Sequence, residues 1–119
     1  MARTLLTATA LTSAGVDPAD VDSAATLGDG NAFAWARHRL LYVLNGDSTP
    51  LTVTIPTPGT VGSAALAIAE VTVVVPAGEY RLAGPFGREV VQSGGQVHVN
   101  YSGADAAVQV AVLDAAPAA

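Results

Sequence analysis

Gln96-Val97-His98-Val99-Asn100-Tyr101 is the stretch on which the fold turns. Val97, Val99 and Tyr101 alternate with Gln96, His98 and Asn100, a two-residue period with one dry face and one wet one, which is how a half-buried strand reads. Working outward, Val108, Val110 and Val112 alternate with Gln109, Ala111 and Leu113, and Leu51, Val53 and Ile55 alternate with Thr52 and Thr54. Arg39 to Leu44 and Val71 to Val75 are apolar on both faces, the pattern of a strand buried between layers. A short early strand over Leu5 to Thr9 and weaker ones near Ala32 to Trp35 and Tyr80 to Gly84 bring the expected total to seven or eight.

Turn chemistry separates these runs: Asn45-Gly46-Asp47, Pro56-Thr57-Pro58-Gly59, Pro76-Ala77-Gly78, Gly94-Gly95 and Ser102-Gly103-Ala104-Asp105. No strand–helix rhythm is present, which excludes doubly wound α/β folds. The expectation is an all-β chain, an antiparallel β-sandwich or jelly roll with an extended N-terminal arm. Asp17-Pro18 has the form of a helix cap followed by proline, so Asp17 to Ala25 is a short-helix candidate. Gly62 to Glu70 is Ala-rich and is the other, though too short to be stable alone. The expected organisation is an arm over 1–27, a sandwich over 28–114 and a flexible tail over 115–119.

Composition limits the chemistry. Among 119 residues, half are hydrophobic and 13% charged, against about 25% charged in an average globular chain. Ala (24) and Val (16) dominate, there is no Cys or Lys, and all five cations are Arg. Absence of Cys removes disulfides, thiolate metal sites and cysteine nucleophiles. A net charge of −5 is unsuited to gripping phosphates, so no nucleic-acid partner is expected. The N-terminal run Met1 to Leu11 imitates a secretory signal, but Thr4, Thr7, Thr9 and Thr12 interrupt what would be its apolar centre. Apolar stretches such as Ala64 to Ala69 and Val73 to Ala77 fall far below the roughly 20 residues that span a bilayer, so no membrane partner is expected.

Catalytic and metal patterns are sparse. His38 lies between Arg37 and Arg39, and His98 stands on the polar side of its strand; neither has a carboxylate or second His at ligand spacing. No Gly-x-Ser-x-Gly elbow occurs. Ten carboxylates could in principle include a glycosidase pair, but the six aromatic residues are largely needed for structure. Asp17, Asp20, Asp22 and Asp29 offer the oxygens calcium prefers, without the spacing of an EF-hand; a solvated helix start and an Asp-Gly turn explain them equally. The expectation is therefore no enzyme, no cofactor and no metal.

Two aromatic groupings remain. Gly84-Pro85-Phe86-Gly87 is a loop carrying a Phe, which either folds back as a plug under the sandwich or docks on another chain. Phe33 and Trp35 sit close to Arg37 and Arg39, residue types enriched at interface hot spots, and either pack in the core or meet a partner. Phe33, Trp35, Arg37, Arg39 and Phe86 are thus the candidate interface.

The ordered series Gly28-Asp29-Gly30-Asn31-Ala32-Phe33, Arg39 to Gly46, Leu51 to Ile55, Val71 to Glu79, Gly84-Pro85-Phe86, Val97 to Ser102 and Val108 to Leu113 resembles small virion proteins of tailed bacteriophages. In that group an Asp-Gly-Asn turn precedes an apolar strand ending in Asn-Gly. The similarity spans roughly residues 28 to 113. Such proteins are head decoration or minor capsid components, with neck and tail components in the same group. The resemblance implies a β-sandwich on the outer surface of the capsid, bound to the major capsid protein and often trimeric at local threefold axes. An extracellular sugar- or cell-surface-binding module is the reading from another class. Before residue 28 the chain departs from the group, being longer and more acidic over Asp17 to Leu27.

Overall fold

The computed structural model describes residues 4–57, 60–61, 66–67, 70–87, 90–92, 94–104 and 106–115. Its strands are β1 (Thr4–Leu5), β2 (Ala8–Ala10), β3 (Ser23–Ala24), β4 (Asn31–Ala34), β5 (Arg39–Asn45) and β6 (Leu51–Ile55) in the first half. They are followed by β7 (Thr60–Val61), β8 (Leu66–Ala67), β9 (Val71–Val75), β10 (Tyr80–Ala83), β11 (Gln96–Ser102) and β12 (Val108–Asp114). One sheet runs β1-β4-β11-β6-β9 and the other β10-β5-β12-β2, with β3 also on β12; β7 and β8 form a separate two-stranded ladder. The fold is an all-β sandwich, and each of the eight strands expected from the sequence has a counterpart in these two sheets.

Period-two patterning explains the core. Leu51, Val53 and Ile55 of β6 are fully buried while Thr52 and Thr54 are only partly so. Val97 and Val99 of β11, with Val108, Val110 and Val112 of β12, meet them from the neighbouring strand and the facing sheet. Each such aliphatic side chain contributes about 1.5–3 kcal/mol by leaving water. The long β12–β5 ladder, from Val108 opposite Asn45 to Asp114 opposite Arg39, is the spine of the second sheet.

Two buried asparagines organise the ends. The Asn31 side chain donates to the Thr4 carbonyl (3.1 Å) and accepts from the Thr26 N–H (3.1 Å) and the Tyr101 hydroxyl (2.6 Å). It therefore ties the N-terminal strand to β4 and β11. The Asn45 side chain donates to the Thr49 and Val75 carbonyls and accepts from the Asp47 N–H, which closes the β5–β6 turn against the end of β9. Gly46 is required beside it, because a Cβ there would stand 2.8 Å from the Ala107 carbonyl oxygen.

Several expectations are corrected. The sheets are mixed rather than antiparallel throughout: β1 pairs with β4, and β2 with β12, in parallel. The early strand breaks in two because Leu6 turns into the core, its N–H donating to the Ala32 carbonyl, and the chain crosses from one sheet to the other. The helix candidate over Asp17 to Ala25 shortens to α1 (Pro18–Val21), since Ser23 and Ala24 pair with Val110 and Gln109 instead. In the candidate over Gly62 to Glu70, Leu66–Ala67 is a strand paired with Thr60–Val61, and residues 62–65 and 68–69 lie outside the described residues. Val71–Val75 is not buried on both faces: Val71, Val73 and Val75 turn to the core, and Val74 is 55% exposed on the uncovered outer face of β9. Of the tail expected over 115–119, Ala115 donates to the His38 carbonyl and 116–119 lie outside the described residues. Among the described residues, no helix is long and apolar enough to cross a membrane.

Candidate interaction surface

The sandwich has a second apolar cluster, on the outside. Because β5 is apolar on both faces, Leu41 and Val43 enter the core while Leu40, Tyr42 and Leu44 line the outer face of the second sheet. On β12, Ala111 and Leu113 do the same, and on β10 the register places Tyr80 beside Leu44 and Leu82 beside Tyr42. Leu11, Val16 and Val21, from the segment that follows β2, lie over part of this face and bury Tyr42, Ala111 and Leu113. The cover stops short of β10, where Tyr80 is 57% and Leu82 53% exposed.

Between cover and sheet lies a cavity of about 470 Å³, walled by Leu11, Val16, Leu40, Leu113 and both tyrosines, with Asp17 at its margin. The Tyr42 and Tyr80 rings are 5.7 Å apart and tilted by 41°. Burial pushes the Tyr42 hydroxyl above its ordinary value, and Asp22, Tyr80 and Asp17 add to the shift because a phenolate there would face negative charge. The surroundings thus hold the phenol neutral.

Chemically this surface is an apolar strip with a polar edge. Along β10 it continues into a shallow groove of about 470 Å³ formed by Gly78, Glu79, Tyr80, Arg81 and Leu82. Arg81 Nη1 donates to Glu79 Oε1 at 3.1 Å and to the Tyr80 carbonyl at 2.8 Å. Contiguous exposed apolar area bordered by charge is the usual form of a surface that meets another macromolecule. Among the described residues, no three His, Asp or Glu side chains converge as metal ligands would.

The five residues expected at an interface do not gather into one patch. Phe33 (1% exposed) and Phe86 (8%) are core side chains, their ring centroids 6.3 Å apart, so neither ring is offered to another chain. Phe86 folds back because Gly84 permits it: with φ of +111°, a Cβ there would meet the Arg39 carbonyl and the Phe86 ring at 3.1 and 3.2 Å. Trp35 packs against the same core and its indole N–H donates to the Phe86 carbonyl at 2.9 Å, stapling the loop. Arg39 faces Asp114 across the β5–β12 ladder (Nε to Oδ2, 3.3 Å) and donates to the Ala34 carbonyl. Arg37 is exposed, in the β4–β5 connection.

The residues that reasoning from sequence passed over are Tyr80 and Leu82, with Leu40, Tyr42 and Leu113 behind them. A signal existed: Tyr80-Arg81-Leu82 alternates, and Arg39 to Leu44 carries a second apolar face that the core does not use. Comparison with protein-family models, curated proteins and solved structures finds no match.

Proposed function

We propose that this chain is a structural protein of a tailed-bacteriophage virion, a head decoration or minor capsid protein that binds the assembled shell from outside and bridges its subunits. The observation that carries the reading is the apolar strip on the outer face of the second sheet, open at Tyr80 and Leu82, in a chain with only 13% charged residues. A strip of that kind supplies binding area rather than chemistry. The ordered turn and strand motifs from Gly28 to Leu113, which resemble such virion proteins, give the reading its partner, the major capsid protein. Many identical sites on a shell let individually weak contacts add through avidity. A net charge of −5 suits a position outside the packaged nucleic acid. A place in the neck or tail would use the same surface.

The Tyr42–Tyr80 ring pair favours a second reading, a sugar-binding module. A sugar stacks on an open ring face, however, and Tyr42 is only 6% exposed, which leaves one ring for the purpose. The two readings separate in one experiment. Purified protein mixed with undecorated shells is expected to co-sediment with them stoichiometrically, and a Leu82→Asp variant to stay in the supernatant while melting like the parent. Wild-type protein that stays in the supernatant at micromolar concentration overturns the proposal.

A further inference from the structure

The free edge of β10 is complementary to itself. In the β10–β5 ladder Arg81 stands opposite Val43 and Tyr80 opposite Leu44, and the Asn45 N–H donates to the Glu79 carbonyl. Hydrogen bonding alternates along an antiparallel pair, so the bonds to β5 fall at Glu79, Arg81 and Ala83. The N–H and C=O groups of Tyr80 and Leu82 then point outward, away from the sheet. The Arg81 guanidinium on the Tyr80 carbonyl marks that outward direction. Among the described residues β10 has no strand on its other side. The same two residues carry the exposed apolar side chains, so backbone and side chain are left open together.

We infer that this edge pairs with a second copy of the chain, β10 against β10 antiparallel about a twofold axis at Tyr80. In that register Tyr80 meets Tyr80 and the two exchange both backbone hydrogen bonds. Glu79 of each copy stands opposite Arg81 of the other, on one face, giving two ion pairs of opposite charge. Leu82 lies over Gly78 of the other copy, which has no side chain to collide with it. The neighbouring symmetric register, centred on Arg81, sets two guanidiniums against each other and is disfavoured by like-charge repulsion. Charge therefore favours the Tyr80-centred register over the Arg81-centred one, and of the registers that β10 offers only the Tyr80-centred one sets Glu79 against Arg81. Arg81 exchanges its contacts with its own Glu79 carboxylate and Tyr80 carbonyl for the Glu79 carboxylate of the second copy. The contact goes beyond shell binding and does not depend on it. Its symmetry predicts a dimer, in place of the trimer that the family resemblance implies.

Charge reversal tests the register directly. Glu79 and Arg81 side chains are 54% and 42% exposed, so their substitution leaves the fold standing, which thermal melts verify. Sedimentation of the wild-type chain from about 10 µM to about 1 mM is expected to show a mass rising toward twice 11.9 kDa. Glu79→Arg places Arg against Arg at both positions and Arg81→Glu places Glu against Glu, so each alone should weaken association at least about tenfold. Mixing the two variants restores opposite charges at both positions, and the mixture should dimerise although neither component does. A wild-type chain that stays monomeric at the highest concentration overturns the inference. So does an oligomer that neither reversal weakens, or a mixture no more associated than its parts.

Discussion

The two lateral sides of this sandwich are finished in different ways. On one side the segment Thr4–Ala10 adds β1 to the end of the first sheet and β2 to the end of the second, both in parallel. Seven residues thereby occupy the outer edges of both layers. On the other side β9 and β10 end their sheets, and among the described residues no strand lies beyond either. Among the described residues, three of the four most exposed large hydrophobics, Val74, Tyr80 and Leu82, sit on those two strands, the fourth being Leu5 on β1. Natural proteins commonly blunt an open edge with Lys, Pro or a bulge. This chain has no Lys at all, and its β10 edge carries one guanidinium on one carbonyl. The contrast is one of degree: on the first side the edges are the two short strands β1 and β2, where Leu5 is 63% exposed, while on the opposite side the longer strands β9 and β10 keep Val74, Tyr80 and Leu82 in the open.

The largest effect is expected on the side that the N-terminal segment finishes. Asn31 is fully buried, and its amide supplies one donor and one doubly used acceptor to Thr4, Thr26 and Tyr101. Asn31→Ala removes all three of these bonds in a dry site, and should cost about 3 kcal/mol and lower Tm by about 10 °C. Hydrogen exchange of Leu5 to Ala10 should accelerate more than that of β9 and β10, since the side chain holds the N-terminal strand to β4. Equal acceleration on both sides would show that Asn31 stabilises the sandwich generally and that the arm has other anchors.

A smaller, pH-dependent effect belongs to the outer face where the arm covers it. Tyr42 is raised above the ordinary tyrosine value of 10.0 in the folded chain, by burial first and then by Asp22, Tyr80 and Asp17. Its raised value means the folded state keeps a proton that the unfolded chain gives up. The corresponding stability is fully present below pH 10 and declines as pH climbs from there through the folded value. Urea melts at increasing alkaline pH should show that decline, and Tyr42→Phe should flatten it. A Tyr42→Phe variant with an unchanged alkaline slope would mean that the arm does not stay on the sheet in solution.

Much of the fold was legible in the residues themselves. Alternation in Leu51 to Ile55, Val97 to Tyr101 and Val108 to Leu113 located three strands and their inward faces, because burying one face of a strand requires a two-residue period. The parallel edges were not legible. The register of Thr4 against Asn31 depends on hydrogen bonds to Thr26 and Tyr101, the latter 70 positions away from Asn31, and no local pattern encodes such a bond. Val71 to Val75 misled for a related reason: a continuous apolar run looks the same whether both faces are covered or one lies open, and only topology tells them apart. The surface was misplaced by the same logic. Aromatic residues near arginines pointed to Phe33, Trp35 and Phe86, yet the loop from Gly84 returns Phe86 to the core and Trp35 fastens it there. Tyr80 and Leu82 were readable as a strand, but not as the edge strand that the cover of Leu11, Val16 and Val21 fails to reach, which is what exposes them.

The smallest stability change is expected at the open side, and its smallness is what makes it informative. Leu82→Thr keeps a residue suited to a strand while removing a side chain that is already half in water. In the isolated chain the change should stay within about 0.5 kcal/mol, as for surface substitutions that disturb no buried contact. Measured at low and at high protein concentration, the variant should melt with the wild type when dilute and below it when concentrated, because only the associated form covers Leu82. A deficit that is large and independent of concentration would mean that part of the same chain covers β10, which would remove the difference between the two sides. A deficit absent at every concentration would leave the edge open but unused by other copies of the chain.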